Sequence, residues 1–272
     1  MARVEPVVGE PAAVATVAAE RVLLVADVHA GIETGLRYER GVELESRDDE
    51  RRERIRALVR RTDADRLVVL GDLAHRIAAP AGDDRSELSA FIDAVTEQVP
   101  LTLVEGNHDG GVAEAFADEI DVIGPAGGVL GGNGGDANND GGDASNTRIG
   151  VVHGHTWPAP EILAADVVCM GHEHPQVRLE DSVGGARVER AWLRGPMDRA
   201  VFEQADGSAG GTDRSAADPP ELVVFPAFNE RSGGTWINVD GQSFLSPFLP
   251  EGLASGEAYL LDGTRLGEYR HV

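Results

Sequence analysis

The stretch VLLVADVHAG, residues 22–31, decides the fold of this chain. Its first four residues are apolar, and such a run is typical of a β-strand that is buried on both faces. Asp27 and His29 follow almost at once, where the strand must end. Because open α/β sheets build their sites at the carboxyl ends of strands, the stretch predicts a layered α/β fold with candidate ligands at a site.

Four further apolar runs end in the same way. The runs are 67–70, 101–104, 149–152 and 167–170, and the clusters that follow them are GDLAH (71–75), EGNHDG (105–110), VHGH (152–155) and GHEHP (171–175). Seven of the eight histidines lie in the five clusters. Histidines scattered through a core would not follow a strand this regularly, so the pattern indicates an enzyme with metal-assisted chemistry.

The segments between the clusters have the spacing of helices. A Ser46-x-x-Asp49 cap precedes a charged helix over 51–61. Apolar positions at helical spacing predict a second helix over 86–98, and a short third helix is predicted near 112–119. This alternation predicts a largely parallel sheet. Four short strands beyond the last cluster are predicted to form a second sheet: 177–179, 187–193, 221–225 and 235–239.

Two segments lack the apolar residues that a core needs. Residues 127–146 are nearly all Gly, Asn, Asp and Ala, and residues 204–220 are rich in Gly, Ser, Ala and Asp. Each buries too little apolar surface to offset the entropy lost on ordering, so both are interpreted as mobile surface insertions. Neither divides the clusters into unrelated halves, and we expect a single domain over residues 1–272.

The chain is strongly acidic. All 24 basic residues are arginine, 47 residues are Asp or Glu, and the net charge is −23. Self-repulsion of this kind is screened in molar salt, where the Debye length falls to about 3 Å. The composition therefore predicts a halophilic protein from a salt-rich cytoplasm. Counterion release contributes little to phosphate binding at such salt, so the acidity does not exclude a nucleic-acid substrate.

Cys169, the single cysteine, lies inside an apolar run and is expected to pack in the core. No stretch approaches the roughly 18 to 20 continuous apolar residues of a membrane helix. The apolar segment 11–19 also lacks the basic leader of a signal peptide. We therefore expect a cytoplasmic protein with no membrane partner.

The residue types in the clusters suit a pair of divalent metal ions. Two such ions about 3.5–4 Å apart can clamp the attacking and the departing oxygen of a phosphate displacement. Asp27 and His29 point from one strand end toward a single ion, and Asp72 is the natural bridge because one carboxylate offers an oxygen to each ion. Asn107 offers an uncharged oxygen to the second ion. Imidazole nitrogens come from the other clusters: His153, His172 and His174.

His108 stands beside a ligand rather than among the ligands, because its neighbour Asn107 is already committed. An imidazole titrates near neutral pH and can protonate a leaving oxygen. His108 is therefore the candidate general acid.

In chain order the clusters contain Asp-x-His, Gly-Asp, Gly-Asn-His-Asp, His-Gly and Gly-His-x-His. This ordered set, over residues 27–174, resembles the calcineurin-like metallophosphoesterase superfamily. The stretch 26–41 and the tail motifs at 225–229, 233–235 and 244–247 resemble its ICC-like branch, which includes the phosphoesterase associated with DNA ligase and helicase genes. The resemblance implies an α/β fold arranged as a four-layer αββα sandwich, two mixed sheets flanked by helices.

The resemblance also implies cofactors, partners and roles. It implies two divalent ions, Mn²⁺ first with Zn²⁺, Fe²⁺ or Ni²⁺ as alternatives, and activity on phosphodiesters such as DNA or RNA ends. Asp72 would bridge the ions, His108 would be the general acid, and a metal-bridging hydroxide would attack in line. Glu173, between two ligands, is expected to point to the opposite face. The ligands of the first ion would be Asp27, His29 and His174, and those of the second Asn107, His153 and His172.

One element departs from the family pattern. In the phosphatase branches the Gly-Asp element continues to Gly-Asp-x-x-Asp, whose second acid supports the catalytic histidine. Here that place holds His75, so support for His108 is assigned to Asp109. His75, His155 and Arg76 are candidates for contact with substrate or for support of the ligands.

We expect a metal-dependent hydrolase of phosphodiester bonds in nucleic acid or nucleotides, in association with DNA ligase or helicase systems. Three alternatives stay open: a phosphomonoesterase or nucleotidase with the same site, a non-catalytic metal-binding interaction module, and a dinuclear hydrolase of carbon–nitrogen bonds. The intact His108 argues against the second. The third class usually begins with His-x-His, and the Asp27-x-His29 element argues against it.

Overall fold

Two mixed β-sheets lie face to face in the computed structural model, which describes residues 4–131, 148–181, 183–205 and 218–272. The first sheet has its strands side by side in chain order: β1 (Val4–Pro6), β2 (Ala12–Val17), β3 (Glu20–Val25), β4 (Arg66–Val69), β5 (Leu101–Val104) and β6 (Asp121–Ile123). Strands β3 to β6 are parallel, while β1, β2 and β3 pair antiparallel. The parallel half is thus the largely parallel sheet that the sequence predicts.

Helices provide the crossovers of the parallel half. Strands β3 and β4 are joined through α1 (Ile32–Arg40) and α2 (Asp48–Thr62), β4 and β5 through α3 (Gly82–Thr96), and β5 and β6 through the short α4 (Val112–Ala115). The three predicted helices are confirmed, although α3 begins at Gly82 and α4 ends at Ala115. Helix α1 was not predicted.

The second sheet is built from the rest of the described chain. Its strands are β7 (Gly128–Leu130), β8 (Ile149–Val152), β9 (Val167–Met170), β10 (Gln176–Glu180), β11 (Ala186–Pro196), β12 (Glu221–Val224), β13 (Glu257–Leu260) and β14 (Arg265–Glu268). Their order is β14-β13-β11-β12-β9-β8-β7, and β10 pairs with β11 outside this path. Only β8, β9 and β12 are parallel to one another. A 3₁₀ turn (Pro160–Ala164) and α5 (Arg199–Ala205) accompany this sheet.

Alternation along the buried strands produces the layers, because successive side chains point to opposite faces. In β3, Leu23 and Val25 join the cluster that includes the apolar faces of α2 and α3, whereas Val22 and Leu24 join the cluster between the sheets. The outer face of the second sheet packs against a third cluster that includes Phe202 of α5. The two sheets with helices on their outer faces confirm the predicted fold class.

The prediction of a strand over 235–239 is wrong. Within this segment only Trp236 forms an isolated bridge, with Gln176, and turns follow it. The side-chain amide of Asn238 explains the difference: it accepts from the amide of Arg178 at 2.9 Å and donates to the carbonyl of Arg178 at 2.8 Å. The side chain of Asn238 thus forms the hydrogen bonds with the backbone of Arg178 that a neighbouring strand would otherwise form.

The two low-complexity segments lie largely outside the described residues, at 132–147 and 206–217. Their described ends belong to the fold. Strand β7 pairs with β8, and α5 continues to Ala205. Within the described residues, no helix combines the length and the apolar character that crossing a membrane requires.

Candidate metal centre

The five clusters follow β3, β4, β5, β8 and β9, and their side chains meet where the parallel strands end. Five of the predicted ligands adopt left-handed backbone conformations, with φ between +44° and +69°: Asp27, His29, Asp72, His172 and His174. For residues other than glycine this conformation costs on the order of 1–3 kcal/mol each, so it persists only where neighbours hold it. Neighbouring groups therefore hold the backbone of these five residues in a conformation that directs their side chains to the centre.

Glycines allow the clusters to approach one another. A Cβ on Gly71, where φ is +84°, would collide with the ring of His153. A Cβ on Gly106 would collide with the carboxylate and the amide of Asp72. Glycine at these two positions leaves the space that lets residues following different strands approach one another.

Two groups of metal-ligating side chains share Asp72. The first group is Asp27, His29, Asp72 and His174; the second is Asp72, His153 and His172. In each group the ligand atoms lie within 4.8 Å of one another. The carboxylate Oδ2 of Asp72 is 3.8 Å from His29 Nε2, and its Oδ1 is 3.4 Å from His153 Nε2. The two oxygens of one carboxylate thus face two different groups.

The other predicted ligands lie beside these atoms. Asn107 Oδ1 is 3.1 Å from His153 Nε2, and the ring centroid of His172 is 4.9 Å from that of His153. His174 Nε2 is 3.1 Å from Asp27 Oδ1. The structure therefore brings together all seven residues that were predicted as ligands.

Backbone carbonyls orient two of the imidazoles. His153 Nδ1 donates to the carbonyl of Leu70 at 2.8 Å, and His174 Nδ1 donates to the carbonyl of Gly233 at 2.7 Å. A carbonyl can only accept, so the proton of a neutral ring lies on Nδ1 and Nε2 keeps its lone pair. Both Nε2 atoms face a carboxylate of the centre. This is the arrangement that orients histidine ligands of metals.

The donor set fits a pair of divalent cations. Asp27 and Asp72 are almost fully buried, and within the described residues their ion-pair partners are all histidines, which are neutral when they bind a metal. His29 Nδ1 is buried without a hydrogen-bond partner in the described part of the chain. Carboxylate, imidazole and amide donors together suit Mn²⁺, Zn²⁺ and Fe²⁺. Buried carboxylates surrounded by imidazoles are expected where a metal supplies the positive charge.

Burial and neighbouring charges set the protonation of these groups. Burial alone would raise the pKa values of Asp27 and Asp72, but adjacent histidines hold both below the usual range. Burial lowers the pKa of His29 to about 3 and that of His172 to about 4. Burial opposes the charged form of His153 too, but the hydrogen bond and charge of Asp72 raise its pKa to about 9. Four of these groups thus already have the protonation state of a ligand, and His153 must lose a proton.

His108 is held beside the centre by the main chain. Its Nδ1 donates to the carbonyl of His75, and its backbone amide donates to Asp72 Oδ1 at 2.9 Å. Its Nε2 stays free of a carbonyl and is 4.0 Å from Asp72 Oδ2, and 26% of the side chain is exposed. The residue that replaces the family's second acid thus supports His108 through its backbone carbonyl.

Asp109 has a different role from the predicted one. Its carboxylate accepts from the amides of Asp72 at 2.8 Å, Ala74 at 3.0 Å and Gly106 at 2.9 Å. Burial, with the charge of Asp72, raises its pKa to about 6. Asp109 ties the loop after β4 to the loop after β5, and the support of the His108 ring comes from the carbonyl of His75 instead.

The remaining candidates divide between the cleft and the surface. The ring of His75 stacks on that of His108 at 5.9 Å, and the ring of His155 is 5.3 Å from that of His153. Arg76 is paired with Asp84 at 2.7 Å at the surface. His75 and His155 are thus placed near the centre, while the guanidinium of Arg76 is already engaged.

Residues of the tail motifs contact residues of the five clusters. Glu173 is fully buried and accepts from the amide of Ser246 at 2.6 Å and from the hydroxyl of Thr235 at 2.8 Å, a structural use of this side chain. The carbonyl of Gly233 and the side chain of Asn229 also contact cluster residues. The tail motifs were the only signal that could have indicated these contacts.

Comparisons with known proteins identify a family model and similar solved structures. A family model described as calcineurin-like phosphoesterase matches residues 20–194. The nuclease MPE of Pseudomonas putida is similar in structure, with a TM-score of 0.52 and 18% identity over 97% of this chain and 100% of that chain. YfcE, a phosphoesterase from E. coli, gives a TM-score of 0.39 and 17% identity over 91% of this chain and 97% of that chain. None of the curated proteins searched matches the chain.

Proposed function

Because the chain belongs to the calcineurin-like phosphoesterase family and is a metal-dependent phosphoesterase, we propose that it hydrolyses phosphodiester bonds with two divalent ions. One observation carries the proposal: the two oxygens of the Asp72 carboxylate face two separate ligand groups. A single-ion site needs no shared carboxylate. The shared carboxylate supports a dinuclear centre.

The proposed ligands follow from the two groups. The first ion would be held by Asp27, His29, Asp72 and His174, and the second by Asp72, Asn107, His153 and His172. We propose Mn²⁺ because a mixed set of oxygen and nitrogen ligands accommodates it. When bound, the two ions would offset the negative charge of the phosphate and make water a stronger nucleophile.

The chain's own groups would handle the proton. His108 keeps Nε2 free because the carbonyl of His75 accepts from Nδ1. A protonated Nε2 can donate to the oxygen that leaves phosphorus. The hydrogen bond from the backbone amide of His108 to Asp72 Oδ1 fixes the position of His108 relative to the shared carboxylate.

A diester is the proposed substrate because a nuclease, which cuts phosphodiester bonds, shares this fold. Hydrolysis of monoesters by the same groups is the alternative. Nucleic acid as the substrate, association with DNA ligase or helicase systems, a salt-rich cytoplasm and halophilic origin stay predictions.

The test compares bis(p-nitrophenyl) phosphate with p-nitrophenyl phosphate in molar KCl, with Mn²⁺ or with a chelator. We expect nitrophenol release from the diester that requires Mn²⁺ and exceeds release from the monoester. His271→Ala is the matched control, because His271 is exposed and lies outside the five clusters. Faster release from the monoester would replace the proposed substrate class, and no release from either by folded, Mn²⁺-loaded protein would contradict the proposed activity.

Binding of Mn²⁺ is expected to strengthen as the pH rises. The pKa values of His153 and His174 are both raised, because the charges of Asp72 and Asp27 outweigh the effect of burial. A metal must displace these protons, so affinity should gain about tenfold per pH unit for each proton displaced, up to about pH 9. Titration of Mn²⁺ at several pH values measures the slope. A flat dependence would show that neither histidine must lose a proton.

A further inference from the structure

The loop that carries Asp27 and His29 needs support from outside itself. Both residues have left-handed backbone conformations, with φ of +57° and +45°. Such a conformation is strained for a residue with a side chain and persists only where neighbouring groups hold it. The loop is also fully buried, so each of its backbone carbonyls needs a hydrogen-bond donor.

A tail segment, residues 228–231, supplies those donors. The amide of Phe228 donates to the carbonyl of Ala26 at 2.8 Å, and the amide of Asn229 donates to the carbonyl of Asp27 at 3.2 Å. The side-chain Nδ2 of Asn229 then donates to the carbonyls of Val28 at 2.9 Å and His29 at 3.3 Å. Two tail residues thus donate to four successive carbonyls, and Asn229 makes three of the four bonds; the carbonyl of His29 also accepts from the amide of Ile32 at 3.2 Å.

The orientation of the Asn229 amide is itself fixed. Its Oδ1 accepts from the amide of Arg231 at 3.0 Å, which leaves Nδ2 toward the loop. The side chain is fully buried, so water cannot replace either contact. In Asn229→Asp, a carboxylate oxygen would replace Nδ2 and would repel the carbonyl oxygens of Val28 and His29.

A buried ion network anchors the same segment. Arg231 donates to Glu33 Oε1 at 2.8 Å, and Arg51 of α2 binds both oxygens of Glu33, at 2.8 and 2.6 Å. The side chains of Glu33 and Arg51 are 1% and 2% exposed. Glu33 lies in α1, directly after the loop, so the network holds the tail segment against the start of α1.

We propose that Asn229 is a positioning residue for the proposed metal centre, acting through the backbone of the loop that presents Asp27 and His29 to the first ion. The inference rests on the proposed function. It assigns Asn229 chiefly to the first ion, because its contacts reach that loop, whereas Asp72 and His153 have further supports in Asp109 and the Leu70 carbonyl.

The test compares Asn229→Asp with Thr62→Val. Thr62 is a matched control, because its buried hydroxyl also donates to a backbone carbonyl, that of Leu58 at 2.8 Å, on the far end of α2. Mn²⁺ is titrated into each metal-depleted variant, and the free ion is followed by electron paramagnetic resonance. Melting temperatures are recorded with and without Mn²⁺.

In Asn229→Asp, the affinity of one ion should fall by about 10- to 100-fold while that of the other falls much less, as for other residues that orient metal ligands. Thr62→Val should melt at a lower temperature and bind both ions like the wild type. Unchanged binding in Asn229→Asp, or an equal loss in both variants, would overturn the proposal. If Asn229→Asp does not fold, Asn229→Ala decides, because it removes the side-chain donor to Val28 and His29 without adding a charge: weaker binding of one ion supports the proposal, and unchanged binding overturns it.

The outcomes separate this inference from the proposed function. A wild-type chain that binds fewer than two Mn²⁺ ions would contradict the dinuclear centre itself. A wild-type chain that binds two ions, with an Asn229→Asp variant that binds them equally well, would contradict only the role of Asn229.

Discussion

Replacing Asp72 with alanine is expected to abolish phosphoester hydrolysis and to release both divalent ions. Asp72 is the one residue common to the two proposed ligand sets, and its Oδ1 also accepts from the amide of His108. The variant would therefore lose a ligand of each ion and a contact of the proton donor. Metal ions supply several kcal/mol of transition-state stabilisation, so hydrolysis should fall by about 10³-fold or more.

The measurement is metal content after dialysis, together with the rate on bis(p-nitrophenyl) phosphate. Asp181→Ala is the control, because Asp181 is an exposed carboxylate whose Oδ1 accepts from the amides of Val183 and Gly185 in a surface hairpin. That variant should keep both ions and full activity. His29→Ala should lose the first ion only. If Asp72→Ala still held one ion tightly, the carboxylate would belong to a single site.

The strands before the clusters could be predicted because each is a short apolar run with an abrupt polar end. Which of the two sheets contains each strand could not be predicted. A strand such as β8, buried on both faces, has the same sequence pattern whichever sheet contains it. Helix α1 was missed because its buried residues include Glu33, Thr34 and Gly35, which give no apolar stripe. The polar contacts that bury Glu33 are visible only in the folded chain.

The ligands could be predicted for a similar reason. Carboxylates, imidazoles and an amide stand in the clusters themselves, so residue type and order indicated the centre. The groups that orient the ligands and His108 are mostly backbone carbonyls, such as those of Leu70, Gly233 and His75. A carbonyl has no sequence signature, and the Asn229 contact with Val28 spans 201 residues. Assigning Asp109 as the support of His108 failed on this point, because sequence reasoning compares side chains only.

Replacing His108 with alanine is expected to slow turnover by about 10²- to 10⁴-fold on a diester with a poor leaving group, with both ions retained. His108 lies outside the two proposed ligand sets, and its ring is held by the carbonyl of His75. The leaving group makes the test specific. Nitrophenolate departs readily without a proton, so the loss on bis(p-nitrophenyl) phosphate should be much smaller than the loss on a dialkyl or dinucleotide diester.

Rates on both kinds of diester and metal content are measured for His108→Ala and for the His271→Ala control. If His108 donates a proton, the loss of rate must be larger on the diester with the poor leaving group, because only that leaving group needs the proton. An equal loss on both would mean that the ring binds the phosphate instead of protonating the departing oxygen. Loss of an ion would mean that His108 is itself a ligand, and the group that it forms with His29 and His75 would then be the place to seek that ion.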